Sequence, residues 1–291
     1  MTVGAPYQPT TPFGLSLSKP RTPQSIRRSK SLRYAVPSQS GPPPGPPPTL
    51  IFCRCAPVLT PSLDIPRIRA ITIDLDDTLW PIWPTIERAE AVLLQWMTEH
   101  APATARLFQS TEALRAIRNQ MVNLRPDLQH DLSALRRESI RMALTQAGDD
   151  GALAEPAFDL FFAERQRVTL FDDAHDTLAF LSSRYPVVAV SNGNADIHKV
   201  GIGHYFKDSL SASVLGVAKP DARIFQAAAQ AVQVQPHEVL HVGDDATLDA
   251  RGAMDAGMQA VWLNPAEAAW PYDTPPHATV SSLTELCRLL V

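Results

Sequence analysis

Short apolar runs alternate with longer amphipathic stretches from residue 68 onward, and this pattern predicts the fold. The first run, IRAITIDLDDT from Ile68, ends in carboxylates, which is typical of a buried strand that delivers polar residues at its carboxyl end. Strands are predicted at residues 70–74, 186–191, 239–243 and 259–263. Helix-like sequence such as residues 221–232 separates these runs, so the pattern predicts an α/β fold with a doubly wound, Rossmann-like parallel sheet.

The interval between the first two strands, residues 84–170, contains no strand-like run. Amphipathic helical patterns occupy most of it, at residues 86–100, 111–121, 132–147 and 153–167. A helical insertion of this length can cover the carboxyl edge of the sheet. We therefore expect an all-helical cap domain over residues 84–170 and a core domain formed by residues 67–83 and 171–291.

The first 66 residues differ in composition from the rest. They hold 15 of the 27 prolines, include the run GPPPGPPP and carry no acidic residue before Asp64, which is typical of a disordered segment. Seven basic residues and Asp64 give this tail a charge of +6, and the other 225 residues carry −10. Three interpretations stay open: a targeting segment, a weak binder of anionic surfaces, or, as we favour, sequence upstream of the natural start.

The overall composition indicates a soluble globular protein. Hydrophobic residues make up 45% of the chain, the formal net charge is −4, and charges and prolines interrupt every apolar run before it could span a membrane. Three cysteines, Cys53, Cys55 and Cys287, cannot form a disulfide framework. A metal or redox pair at Cys53 and Cys55 would leave a tetrahedral metal half-filled, so two loose thiols are the better interpretation. We expect a protein of the reducing cytoplasm.

Chemically active residues stand where three of the predicted strands end. Asp74 and Asp76 follow the first strand, Ser191 ends the second, and Gly243 with Asp244 ends the third. Taken singly, Asp, Ser and Gly are also ordinary helix caps and turn residues. Because ligands bind beyond the carboxyl ends of the strands in open α/β sheets, their joint occurrence predicts one active site there.

The residue types at these strand ends suit phosphate chemistry. Two carboxylates two residues apart can divide nucleophilic attack and proton transfer between them. Crowded carboxylates beside an anionic phosphate require a divalent cation, whose oxygen ligands Asp244 and Asp245 can help to supply. Lys219 can neutralise both the phosphate and the attacking carboxylate, although a lone lysine is more often a solvated surface charge. The segment Ser191-Asn192-Gly193 offers hydrogen-bond donors for phosphate oxygens, although it is a weak motif alone.

The order and spacing of these motifs over residues 68 to 265 resemble the haloacid dehalogenase superfamily. The motifs are DLDDT from Asp74, Ser191, Lys219 and the stretch from Gly243 to Asp249. This resemblance implies that Asp74 is the nucleophile and Asp76 the general acid and base. It also implies that Mg²⁺ is held by Asp74, by the backbone carbonyl of Asp76 and by Asp244. Asp245 and Asp249 are then candidates for the shell of residues that supports these ligands.

The fold alone does not give the reaction, because the superfamily includes dehalogenases, phosphonatases, sugar phosphomutases and ion pumps. Asp76 favours phosphate esters, since an alkoxide leaving group needs a proton and a departing halide does not. Stretches such as IDLDDTLW, AHDTLAFL, VSNGNAD, IGHYF and HVGDD also resemble the bacterial phosphatases of riboflavin synthesis. That resemblance implies 5-amino-6-(5-phospho-D-ribitylamino)uracil and flavin mononucleotide (FMN) as substrates.

Recognition of such a substrate is expected to involve the insertion. The candidates are Trp80, Trp83, His130, Arg136 and Arg137. The alternative for the two tryptophans is packing of the cap hinge. For Arg136 and Arg137 it is a solvated helix face, and adjacent helical positions do not share a face, so one of them at most should point inward.

Other functions stay open at this stage. A general phosphatase of phosphoglycolate or sugar phosphates, or a sugar phosphomutase that needs a bisphosphate activator, would use the same motifs. A non-catalytic protein that binds anionic surfaces through its basic tail is disfavoured by the complete set Asp74, Asp76, Lys219 and Asp244. We expect a small phosphorylated metabolite as the partner, no nucleic acid or membrane, and a monomer or homodimer.

Overall fold

The computed structural model describes residues 62–291. The predictions about the tail, including those for Cys53 and Cys55, therefore lie almost entirely outside the described residues. Cys287 is described and is a free, half-buried thiol. No helix within residues 62–291 is long and apolar enough to cross a membrane.

Six parallel strands form one sheet, and four of them are the strands that the sequence pattern predicts. They are β1 (Ala70–Ile73), β2 (Val187–Ser191), β3 (Asp208–Ser211), β4 (Val239–Gly243), β5 (Gln259–Leu263) and β6 (Ala278–Val280). Their order across the sheet is β3-β2-β1-β4-β5-β6. The chain adds strands on one side of β1 and then on the other, so the order reverses between β1 and β4. This reversal is where α/β sheets open a crevice for ligands.

Strands β3 and β6 were not predicted from the sequence. They are the two outer strands, and their residues are partly buried or exposed, except the buried Val280. The segment of β3 reads DSLS and therefore lacks the apolar run that marks a strand with both faces covered. The four central strands, in contrast, are buried at every position and are strongly apolar.

Helices cover both faces of the sheet because alternate strand residues need apolar partners on each side. On one face, Ile71, Ile73 and their neighbours pack against α6 (Ala174–Ser182) and α11 (Leu283–Leu289). The opposite face packs against α9 (Ala222–Ala231) and α10 (Gly252–Asp255). The short helices are α7 (Ile197–Val200) and α8 (Ala212–Leu215).

Between β1 and β2 the described chain forms no further strand, and five helices precede α6 there. They are α1 (Ile82–His100), α2 (Pro102–Leu107), α3 (Thr111–Leu124), α4 (Leu132–Ala147) and α5 (Ala154–Arg165). The sequence pattern anticipates all of these except α2, which is a single short segment. Their apolar faces form a hydrophobic cluster of their own, centred on Leu93, Met97, Leu144, Phe158 and Phe161. The division of the chain at residues 84 and 170 into core and cap domains stays a prediction.

Candidate active site

A tight turn after β1 carries the first two carboxylates. The backbone N–H of Asp74 donates to Val242 at 2.9 Å, which continues the pairing of β1 with β4. The chain then turns through Asp77, whose φ of 59° lies in the left-handed region that Asp tolerates better than most residues. The Asp77 side chain accepts from the backbone N–H of Ile82 at the start of α1. Asp74 and Asp76 are thereby presented at the carboxyl edge of the sheet.

Lys219 lies between two carboxylates in the interior of the site. Its Nζ is 2.6 Å from Asp74 Oδ1 and 2.6 Å from Asp249 Oδ1, and all three residues are buried. Burial opposes the charge of this ammonium, but Asp249 and Asp74 together outweigh burial and raise the pKa of Lys219 above its ordinary value. Lys219 is therefore cationic, and it is a buried partner of the proposed nucleophile, not a surface charge.

Burial also governs the two carboxyl groups that Lys219 contacts. Desolvation, opposed by Lys219, raises the pKa of Asp74 to about 7, and the nearby charges of Asp249 and Asp76 act in the same direction as desolvation. Burial opposes the ionisation of Asp249 as well, but Lys219 and a hydrogen bond from His241 outweigh it and lower the pKa of Asp249 to about 2. Asp249 is consequently the ionised partner of Lys219. The charge of Asp74, in contrast, depends on whether a cation binds beside it.

His241 connects Asp249 to the sheet. One ring nitrogen, Nε2, is 3.2 Å from Asp249 Oδ1, and Nδ1 is 2.8 Å from the hydroxyl of Thr72. The imidazole is fully buried, and desolvation lowers its pKa, which favours the neutral ring. The other carboxylate oxygen of Asp249 accepts from the backbone N–H of Asp245 at 3.0 Å. All of these contacts restrict the orientation of Asp249 toward Lys219.

Asp244 follows β4 and is held by a residue of the first motif. The hydroxyl of Thr78 donates to Asp244 Oδ1 at 2.9 Å, and the indole of Trp262 donates to the Asp244 carbonyl at 2.7 Å. Desolvation, Asp249 and Asp74 raise the pKa of Asp244 well above its ordinary value. Asp244 and Asp74 thus resist being charged together unless a cation binds them.

Carboxylate oxygens of Asp74, Asp244 and Asp249 lie within 4.8 Å of one another. Such hard oxygen donors suit Mg²⁺, and burial first, then the neighbouring carboxylates, raises the pKa values of Asp74 and Asp244. Both oxygens of Asp249 already accept hydrogen bonds, so Asp74 and Asp244 are the better ligands. Asp245 turns elsewhere, because its side chain caps the π-helical turn Ala246–Arg251. The residues present fit a divalent cation.

The Asp76 carboxylate contacts the inserted helices through Arg165. Nη2 of Arg165, the last residue of α5, lies 2.7 Å from both oxygens of Asp76, and the indole nitrogen of Trp80 donates to Oδ1 at 2.8 Å. Arg165 is buried, and its Nη1 has no hydrogen-bond partner within the part of the chain that the structure describes. Asp76 therefore has a restricted orientation, fixed in part by a residue 89 positions away.

The loop after β2 lies against Asp76 and against Lys219. The Ser191 hydroxyl accepts from the backbone N–H of Gly193 at 2.9 Å. A Cβ at Gly193 would be 2.4 Å from Asp76 Oδ2, so the close approach of this loop to Asp76 requires glycine. The Asn192 side chain bonds both the N–H and the carbonyl of Lys219, at 2.7 and 3.0 Å. Its amide is therefore occupied in positioning Lys219 and not directed at a ligand.

The candidate recognition residues have different surroundings. Trp80 is fully buried, and its polar edge is bonded to Asp76, so it offers no face to a ligand. Trp83 is half-buried beneath the guanidinium of Arg115. Arg136 is buried and paired with Glu90, whereas Arg137 is more exposed, contacts Glu155 and lies over Phe158, so the two arginines occupy different faces of α4. His130 is half-buried in the loop before α4.

Several residues of the site escaped sequence reasoning. Arg165, Thr78 and His241 contact Asp76, Asp244 and Asp249 respectively. Thr78 lies within the DLDDT motif, and His241 is a polar residue in an otherwise apolar strand. The sequence alone could therefore have indicated both as residues of the site. Arg165 ends an amphipathic helix and looks like an ordinary surface residue in the sequence.

Comparison with known proteins shows the family of the chain. Residues 68–257 match the family described as haloacid dehalogenase-like hydrolases. The chain is 37% identical over 232 residues to the 5-amino-6-(5-phospho-D-ribitylamino)uracil phosphatase YigB of Escherichia coli (strain K12), with 77% of this chain and 97% of that protein covered. A phosphoserine phosphatase of Thermus thermophilus is 36% identical over 135 residues, which cover 44% of this chain and 54% of that protein.

A solved structure gives the same fold. The crystal structure titled 2-haloacid dehalogenase from Pseudomonas syringae pv. Tomato superposes with a TM-score of 0.72 at 37% identity, with 77% of this chain and 98% of that chain covered. The family match, the curated phosphatase relatives and the strand-end carboxylates lead to one assignment. The chain belongs to the haloacid dehalogenase-like hydrolases, and within them to the phosphatases.

Proposed function

We propose that the protein is an Mg²⁺-dependent phosphomonoester hydrolase that works through an aspartyl-phosphate at Asp74. The observation that carries this proposal is the pairing of a nucleophile with a separate acid and base. Lys219 contacts Asp74, whereas Asp76 is turned to a different set of partners, Arg165 and Trp80. Such a division suits an ester whose leaving oxygen needs a proton, and a dehalogenase would not need Asp76.

In the proposed reaction, Asp74 attacks phosphorus as the ester P–O bond breaks, and Asp76 protonates the leaving oxygen. Asp76 then removes a proton from water, which attacks the phosphorus of the aspartyl-phosphate and releases inorganic phosphate and Asp74. Lys219 holds Asp74 Oδ1, which leaves the other carboxylate oxygen for the attack. When bound, Mg²⁺ keeps Asp74 and Asp244 ionised and offsets charge on the phosphate oxygens.

We further propose 5-amino-6-(5-phospho-D-ribitylamino)uracil and FMN as substrates and the cytoplasm as the location. The support is the identity to the E. coli phosphatase over nearly all of that protein's length. The 2-haloacid dehalogenase of Pseudomonas syringae is also 37% identical to this chain, so the test includes halide release.

Phosphate and halide release with and without Mg²⁺ test the proposal together. The panel comprises the ribitylaminouracil phosphate, FMN, phosphoglycolate, a hexose phosphate and 2-chloropropionate. We expect Mg²⁺-dependent phosphate release with the highest kcat/KM on the first substrate. Halide release without phosphate release would refute the proposed reaction, and a flat profile over the phosphates would refute the proposed substrate alone. Dependence on a bisphosphate activator, with transfer to sugar, would identify a mutase instead.

A further inference from the structure

Three arginines surround a single buried glutamate in the inserted helices. We call Glu90 of α1, Arg115 and Arg118 of α3, and Arg136 of α4 the arginine cluster. Arg136 bonds Glu90 Oε1 through both terminal nitrogens at 3.2 Å, and Arg115 Nε bonds Glu90 Oε2. Arg118 makes no hydrogen bond or ion pair to any residue in the described chain. Arg115 Nη1 also lies 3.7 Å from Oε1 of the exposed Glu112, so two negative charges, one of them at the surface, face three positive charges.

This excess charge is not solvated as it would be at a surface. Glu90 and Arg136 side chains are only 2% and 8% exposed, and that of Arg115 is 22% exposed. Burial, opposed by Glu90 and supported by Arg118 and Arg115, lowers the pKa of Arg136 to about 10. Burial also lowers the pKa of Arg118. Uncompensated positive charge in such surroundings is costly unless an acceptor from another molecule approaches it.

The arginine cluster lies close to the catalytic carboxylates. The guanidinium of Arg136 stacks at 4.3 Å on Phe161, which precedes Arg165 by four residues on α5, a rise of about 6 Å. Arg165 in turn contacts Asp76. One turn before Arg136, Ser133 accepts a hydrogen bond from Asn194 of the loop after β2. The cluster thus adjoins the helix and the loop that contact Asp76.

Aromatic rings hold two of the guanidinium groups in place. Arg115 lies 4.6 Å from the centre of the Trp83 ring, and Arg136 lies over Phe161. Stacking of this kind, together with the bonds to Glu90, restricts the orientation of the two planar guanidinium groups before any ligand binds. Arg118 has neither restraint among the described residues, so it is the donor most available to a ligand.

We propose that the arginine cluster binds the far end of the substrate, a planar ring with carbonyl oxygens separated from the phosphate by a carbon chain. The proposal rests on the phosphatase function proposed above. Carbonyl oxygens in a ring plane suit the fork geometry of guanidinium donors, and a carbon chain would let the ring lie apart from the phosphate. Small phosphate esters such as phosphoglycolate have no ring, and we expect them not to contact the cluster.

Arg118→Met tests this proposal, with Arg125→Met as the matched control. Arg125 is a half-exposed arginine of the same insertion that pairs with Asp127. The assay compares kcat/KM for the ribitylaminouracil phosphate with that for ribitol 5-phosphate, which lacks the ring. We expect the ratio of the two values to fall about tenfold or more in Arg118→Met, mainly through KM, because a charge-assisted hydrogen bond is lost. The control should leave the ratio unchanged.

A second readout separates ligand binding from a structural role. Removal of one of three like charges should leave the melting temperature of the free protein unchanged or raise it. An unchanged ratio, or a larger effect on phosphoglycolate than on the ring-bearing substrate, would overturn the proposal. So would an equal loss on both substrates with a lower melting temperature. Absence of phosphate release by the wild-type protein would instead refute the proposed function.

Discussion

Replacement of Arg165 by Met removes the ion pair that orients Asp76 and separates a catalytic effect from a structural one. The lost contacts are two of 2.7 Å from the single nitrogen Nη2 to a carboxylate whose side chain is 20% exposed, and because they share one donor atom we count them as one bifurcated hydrogen bond. A charge-assisted hydrogen bond contributes about 1.5–3 kcal/mol to stability. The same change removes the buried, unpartnered Nη1, which costs about 1–3 kcal/mol in the wild-type protein. These terms offset, so we expect the free energy of unfolding to change by about 1 kcal/mol or less.

Catalysis should respond more strongly than stability. Trp80 still donates to Asp76 Oδ1 in this variant, but one hydrogen bond does not fix both oxygens of the carboxylate. A correctly placed acid and base contributes about 10²–10⁴-fold to the rate, so partial misplacement should lower kcat on alkyl phosphates by about tenfold to a hundredfold. In free energy of activation this is about 1.4–2.7 kcal/mol.

The assay compares an alkyl phosphate with p-nitrophenyl phosphate, whose leaving group departs without a proton. Phosphoryl transfer, measured in a single turnover, should slow for the alkyl ester and change little for the aryl ester. Arg167→Met serves as the control, because Arg167 follows the same helix with a side chain that is 73% exposed. An equal loss on both esters would refute the reasoning, since it would indicate that Arg165 binds the phosphate and does not position Asp76.

Three further predictions concern the carboxylates. Asp74→Asn should abolish turnover, with a circular dichroism spectrum like that of the wild type, and near-normal kcat would remove the covalent mechanism. Gly193→Ala should lower kcat at least tenfold, because the new Cβ would lie 2.4 Å from Asp76 Oδ2; a steady-state rate within twofold of wild type would contradict this. The third prediction follows from the pKa of Asp74, raised from 3.8 to about 7. The metal-free folded state holds a proton that the unfolded state releases between these pH values, so stability should fall as pH rises from about 4 to 7. Thermal unfolding in a chelator should show a melting temperature that falls as pH rises over this range. Added Mg²⁺ should raise the melting temperature more at pH 7.5 than at pH 5. A larger increase at pH 5 than at pH 7.5 would refute the argument.

The sequence by itself determined the central sheet and the residues at its carboxyl edge. Strands such as residues 239–243 are recognisable because burial on both faces demands an unbroken apolar run. The side chains that follow them meet because parallel strands end at the same edge. Strands β3 and β6 were missed for the same physical reason, since outer strands need no such run.

Only the tertiary structure decided what each polar side chain contacts. Asp245 and Asp249 both stand in the last motif, yet one caps a π-helical turn while the other bonds Lys219 in the interior. Lys219 meets Asp74 across 145 positions of sequence, and Arg165 meets Asp76 across 89. Such pairs depend on how helices pack over the sheet and on which way a side chain turns. Local sequence patterns carry information on burial and periodicity but none on these long-range directions.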